Sequence, residues 1–119
     1  RIFSAFDSKL NFFHNDAQGL ISTPYLKEIG VNLFNFSFEH SMSEIRDLAG
    51  PEVALIGNLP PRDVLAAKSP EEVRAETIKM VHEFGDKNRV IWSCGGGMPP
   101  NVTTENILAF KETIDKEVR

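Results

Sequence analysis

The chain has 119 residues, 41% of them hydrophobic and 25% charged, with a net charge of −4. That is enough chain and apolar content for one globular unit with its own core. Lys and Arg are dispersed among Asp and Glu, so no basic stripe marks a nucleic-acid surface. No apolar run reaches the length of a membrane span, and no signal-peptide pattern opens the sequence. Cys94 is the single cysteine, which rules out an internal disulfide and makes the cytoplasm the expected compartment.

In chain order, Arg1 to Phe6 reads as the tail of a helix. A start at Arg1 without an initiator Met suggests a piece of a longer product. Four short runs rich in β-branched or aromatic residues follow as expected strands: Leu10 to Phe13, Leu33 to Phe38, Val53 to Ile56 and Val90 to Trp92. Helical patterns separate them. Ser22-Thr23-Pro24 opens a first one, with Tyr25, Leu26 and Ile29 before Gly30. Ser41 or Ser43 opens a second through Met42, Ile45 and Leu48, ended by Gly50-Pro51. A short helical turn from Asp63 to Ala67 precedes a longer helix. That helix is opened by a Ser69/Glu72 capping box and carries an inward stripe of Val73, Thr77, Met80, Val81 and Phe84. Thr103 or Thr104 caps the last helix, with Ile107, Phe110, Ile114 and Val118 expected to face inward.

Strands alternating with helices predict a parallel α/β sheet, because parallel neighbours need a crossover connection. Four such units match either an open four-stranded sheet or half of a (β/α)₈ barrel. Active-site groups in parallel α/β folds lie at the C-terminal strand ends. The stretches there are His14-Asn15-Asp16, Glu39-His40, Gly57-Asn58-Leu59-Pro60-Pro61, and Ser93-Cys94 followed by Gly95, Gly96 and Gly97.

Side chains two apart on an extended backbone point the same way, so His14 and Asp16 form a candidate catalytic pair. With Cys94 from another strand end they are also candidate zinc ligands, since His, carboxylate and thiolate are all accepted there. Equally, His14 and Asp16 are strand-end residues bonded within their own loop, and Cys94 a small buried residue. Gly57 and Asn58 suggest backbone packed against a ligand, and Gly95 to Gly97 allow close approach or anion binding by backbone N–H groups. No Lys-Ser/Thr follows the glycines, so they do not form a P-loop. Glu39 and His40 are adjacent, so at most one points into a site. His82 reads as solvated.

The strand-end motifs carry a resemblance. Ala54-Leu55-Ile56-Gly57-Asn58-Leu59-Pro60-Pro61, the glycine loop from Ser93 to Pro100 with Thr104-Glu105-Asn106-Ile107 after it, and Leu26-Lys27-Glu28-Ile29-Gly30-Val31-Asn32 resemble segments of the uroporphyrinogen decarboxylase-like family, in the right order from about Phe12 to Val118. The resemblance implies that residues 1–119 are the C-terminal half of a (β/α)₈ barrel. A missing N-terminal half or self-association would then complete the sheet. It implies one of two chemistries. The first is cobamide-dependent methyl transfer, in which a zinc site activates a thiol that accepts a methyl group from a corrinoid protein; the corrinoid is there a carried substrate. The second is cofactor-free decarboxylation of the acetate side chains of a tetrapyrrole in porphyrin biosynthesis. A non-catalytic binding or assembly module is a third reading.

The family's decarboxylases carry His where Gly96 stands and Asp where Pro60 stands. Its methyltransferases carry His-x-Cys where this chain has His14-Asn15-Asp16, and a second Cys at Gly96, two residues after Cys94.

Overall fold

Phenylalanines organise the first two strands: Phe13 stacks on Phe34 at 5.7 Å, and Phe34 meets Phe36 at 5.6 Å. The computed structural model describes residues 3–5 and 9–119. Its four strands are β1 (Phe12–Asn15), β2 (Leu33–Phe36), β3 (Ala54–Leu59) and β4 (Val90–Cys94). They form one sheet in the order β1-β2-β3-β4, every pair parallel. The helices are α1 (Met42–Ala49), α2 (Pro70–Phe84) and α3 (Thr104–Glu117). The fold class expected from the alternation of strands and helices is the one observed. Among the described residues no helix is long and apolar enough to cross a membrane.

Register decides which side chains meet. Phe13, Phe34, Leu55 and Val90 align across the sheet on its helix-covered face, where Leu26, Ile45 and Val53 complete the main core. Their neighbours His14, Asn35, Ile56 and Ile91 align on the other face. Every strand except β2 ends later than its apolar run suggests. Pairing continues through polar residues and glycine, so His14, Gly57, Asn58 and Cys94 lie within strands.

Three expectations about where α-helix forms are corrected. Between β1 and β2 there is a 3₁₀ turn, Thr23–Tyr25, rather than an α-helix, and Ser22 makes no side-chain cap. Only Thr23 and Leu26 are buried there, while Ile21, Tyr25 and Ile29 are exposed, too narrow an inward face to hold a helix. The turn after β3 is a π-helix, Pro61–Ala66, in which Leu65 N–H donates to Pro60 O at 3.1 Å. At the start of the chain residues 3–5 form a 3₁₀ turn, and the rest of the expected helix tail lies outside the described residues.

The other caps are as the sequence indicates. Ser41 accepts from Glu44 N–H, and Gly50 at φ +82 closes α1. At α2, Ser69 Oγ accepts from Glu72 N–H at 3.3 Å while Glu72 accepts from Ser69 N–H at 2.9 Å. Thr103 caps α3. That helix buries Asn106, Ala109 and Thr113, with Ile107 39% exposed, instead of the expected Ile107, Phe110, Ile114 and Val118 face. Asn106 sets the rotation: its amide donates to Leu65 O and Lys68 O, both at 2.8 Å, pulling a polar residue inward. Phe110, Ile114 and Val118 are half-buried.

At the N-terminal ends of β3 and β4, Arg46 of α1 acts as a clamp. Its guanidinium donates to Gly50 O, Val53 O, Asn88 O and Arg89 O and lies 5.8 Å from the Phe84 ring.

Candidate active site

Parallel strands bring the ends of β1, β2 and β4 together around a cavity of about 320 Å³. Asp16 and Gln18 line it after β1; Ser37, Phe38 and Glu39 after β2; Pro61 after β3; and Gly95, Gly96 and Gly97 after β4. Two of the glycines are needed for this packing. A Cβ on Gly95 would sit 2.8 Å from Phe38 N. Gly96 has φ +115, and a Cβ there would lie 3.1 Å from Asp16 Oδ1. Gly97 has open space around its Cα.

The expected His14–Asp16 pair is present, with Nε2 and Oδ2 3.1 Å apart and both side chains about half-exposed. On the other side of the ring, His14 Nδ1 lies 2.6 Å from Oδ1 of Asn35. Asn35 is buried, and its amide nitrogen donates to Ile56 O at 2.8 Å and Cys94 O at 3.4 Å. Sequence reasoning missed Asn35, although a lone polar residue inside Leu33-Phe34-Asn35-Phe36 is a visible signal.

Cys94 reaches the same rim but not the same face. It lies three residues beyond Ile91, the residue aligned with His14, so alternation turns it to the helix-covered side. There it packs with Leu59, Val64, Val73 and Ala109. Its thiol donates to Gly96 O at 3.2 Å, and burial pushes the thiol's pKa up. A cysteine binds zinc as the thiolate. Among the described residues no group of three His, Cys, Asp or Glu side chains is placed to hold a metal ion. His14, Asp16 and Cys94 therefore do not fit zinc in this arrangement.

The remaining expected residues divide between two places. Glu39 faces the cavity and accepts from Gln18 Nε2 at 3.2 Å. Its neighbour His40 lines a separate cleft of about 380 Å³ between α1 and α2, with Nδ1 3.4 Å from Glu44. Glu39 also borders that cleft, so only Glu39 of the pair reaches the cavity. Asn58 goes with His40: its amide donates to His40 O, and it lines that cleft rather than the cavity. Gly57 receives the Phe36 ring, 3.4 Å from where its Cβ would stand, and the Gly57–Asn58 peptide is cis. His82 lies at the surface, its Nε2 2.6 Å from Glu117 Oε2.

A parallel sheet with helices on one face and a polar cavity at the C-terminal strand ends is the arrangement of part of a (β/α)₈ barrel. The chain belongs to the uroporphyrinogen decarboxylase family, whose profile, described as Uroporphyrinogen decarboxylase (URO-D), matches residues 1–117. It is similar to the uroporphyrinogen decarboxylase of Thioalkalivibrio sulfidiphilus, 31% identical over 76% of this chain and 25% of that protein. The enzyme of the same name from Gloeobacter violaceus is 26% identical over 91% of this chain and 30% of its own length. Among solved structures it resembles a methyltransferase from Methanosarcina mazei, with a TM-score of 0.79 and 19% identity over 95% of this chain and 32% of that one. The chain thus spans about a quarter to a third of the proteins it matches.

Proposed function

We propose that this chain supplies the proton-transfer groups of a methyltransferase-like enzyme of the uroporphyrinogen decarboxylase family, one that moves a methyl group from a corrinoid carried by a partner protein to a thiol. The observation that carries this reading is the charge of the cavity: Asp16 and Glu39 line it, and no Lys or Arg does so among the described residues. Such a wall repels a substrate bearing several carboxylates, at about 1 kcal/mol per close pair even in bulk water. A thiol and a methyl group meet no such repulsion.

When a thiol becomes a thioether its S–H proton has to leave. In this reading His14 Nε2, with Asp16 Oδ2 at 3.1 Å, takes it and holds it as a charge-paired imidazolium. Glu39 and Gln18 brace one wall, and the glycine loop lets the ligand approach the backbone.

A second reading, tetrapyrrole decarboxylation, is favoured by the name shared by the bacterial relatives. In it the same pair would supply the proton that replaces the departing carboxyl group on carbon.

The test gives the intact protein methylated corrinoid protein plus a thiol in one assay, and uroporphyrinogen in another. Methylated thiol without carbon dioxide release is the expected result, lowered about 10²–10⁴-fold by His14→Ala. Carbon dioxide from uroporphyrinogen with no methyl transfer would establish the second reading instead. Neither product, with His14→Ala indistinguishable from the parent, would leave a binding module.

A further inference from the structure

We propose that Asn35 is a positioning residue: it holds the imidazole of His14 with a proton on Nδ1 and so reserves Nε2 for exchange with the ligand. This rests on the proposed use of His14 as the proton-transfer group, but it is argued from hydrogen bonds that do not depend on which reaction follows.

An asparagine amide has one acceptor end and one donor end. Here the environment decides which is which. One end of Asn35 faces two main-chain carbonyls, Ile56 O at 2.8 Å and Cys94 O at 3.4 Å, and carbonyls only accept. That end must be the NH₂ group; turning the amide over would set an oxygen against two oxygens in a site that is only 6% exposed. The oxygen is therefore directed at His14 Nδ1, 2.6 Å away, and Nδ1 has to be the donor.

Both ring nitrogens face acceptors, but the Asn35 oxygen is the nearer and is buried, whereas the Asp16 carboxylate is half-exposed and can be satisfied by solvent. The one proton of a neutral ring therefore stays on Nδ1, and the lone pair falls on Nε2. Taking up a proton there creates a second N–H that donates to the Asp16 carboxylate. The ring can thus gain and lose a proton on one nitrogen without rotating, because the other is fixed by a residue anchored on two neighbouring strands. An unconstrained histidine side chain favours the proton on Nε2, which would block that nitrogen as a base.

The experiment is ¹⁵N NMR of the histidine rings in the intact protein, at a pH where His14 is neutral. The parent protein is expected to show His14 protonated on Nδ1. Asn35→Gln keeps an amide with both a donor and an acceptor end and should keep that tautomer. Asn35→Leu removes it and should shift the population toward Nε2–H, with kcat falling about 10²-fold and KM little changed. If the parent shows Nε2–H, or if Asn35→Leu leaves the tautomer where it was, the proposal is overturned. If Asn35→Leu fails to fold, the parent spectrum and Asn35→Gln still decide it. Loss of both family activities alongside an Nδ1–H ring would refute the proposed function and not this assignment.

Discussion

Gly95 and Gly97 stand two residues apart in one loop, yet differ in what a methyl group would meet. At Gly95 it would press on the Phe38 backbone at 2.8–3.0 Å; at Gly97 it would meet nothing within 4 Å. Gly95→Ala is therefore expected to lower unfolding free energy by about 1–3 kcal/mol and to distort the cavity. Gly97→Ala should leave the urea midpoint near the parent value. Equal effects from the two substitutions would show that loop composition, not the contact with Phe38, matters. Gly96 shows the same logic in comparison with the decarboxylase pattern, which has a histidine there. At φ +115 and against Asp16, a side chain at 96 would displace the carboxylate that pairs with His14. The absence of that histidine and the presence of Asp16 belong to one packing arrangement.

At the scale of elements, the N-terminus of α2 combines a cap with a titrating group. The Ser69 backbone N–H, with the Ser69 side chain after it, holds the Glu72 carboxyl below its ordinary range. A carboxylate whose folded pKa is depressed stabilises the fold at pH above its unfolded value. That contribution is lost as the pH falls through the depressed value. Glu72→Gln should therefore flatten part of the acid limb of a stability-against-pH curve while changing little at neutral pH. A Ser69→Ala variant should cost about 1 kcal/mol at neutral pH by thermal or urea unfolding. An acid limb unaltered by Glu72→Gln would mean that the box does not titrate as described.

Elements also mark where sequence reading stops. α2 was legible because Ser69, Pro70, Glu72 and the Val73, Thr77, Val81 spacing all point the same way. The rotation of α3 was not, because it turns on Asn106 finding two carbonyls from the distant π-helical turn, which no periodicity encodes. His14 and Asp16 could be paired from their spacing alone. Cys94 could be brought to the same rim, but its face depends on β4 running to Cys94, beyond the apolar run that announces it. Asn35 needed knowledge of which strand lies beside β1.

For the molecule as a whole, each of β1 and β4 has a strand on one side only among the described residues. Phe12 on β1 and Ile91 on β4 are about half-exposed. Open edges with apolar residues recruit further strands. The isolated 119-residue chain is therefore expected to associate, and light scattering after gel filtration should give a mass above 13.3 kDa. Ile91→Lys should shift the distribution toward the monomer. A parent chain that runs as a monomer at all concentrations would show that these edges are shielded.

Arg46 ties α1 to the starts of β3 and β4 at the pole opposite the cavity. Cohesion is concentrated at one pole and chemistry at the other. Rim residues such as Asp16, Gln18 and Glu39 can consequently be exchanged over evolutionary time while the scaffold beneath them survives. A single framework can in this way host relatives that act on unlike substrates.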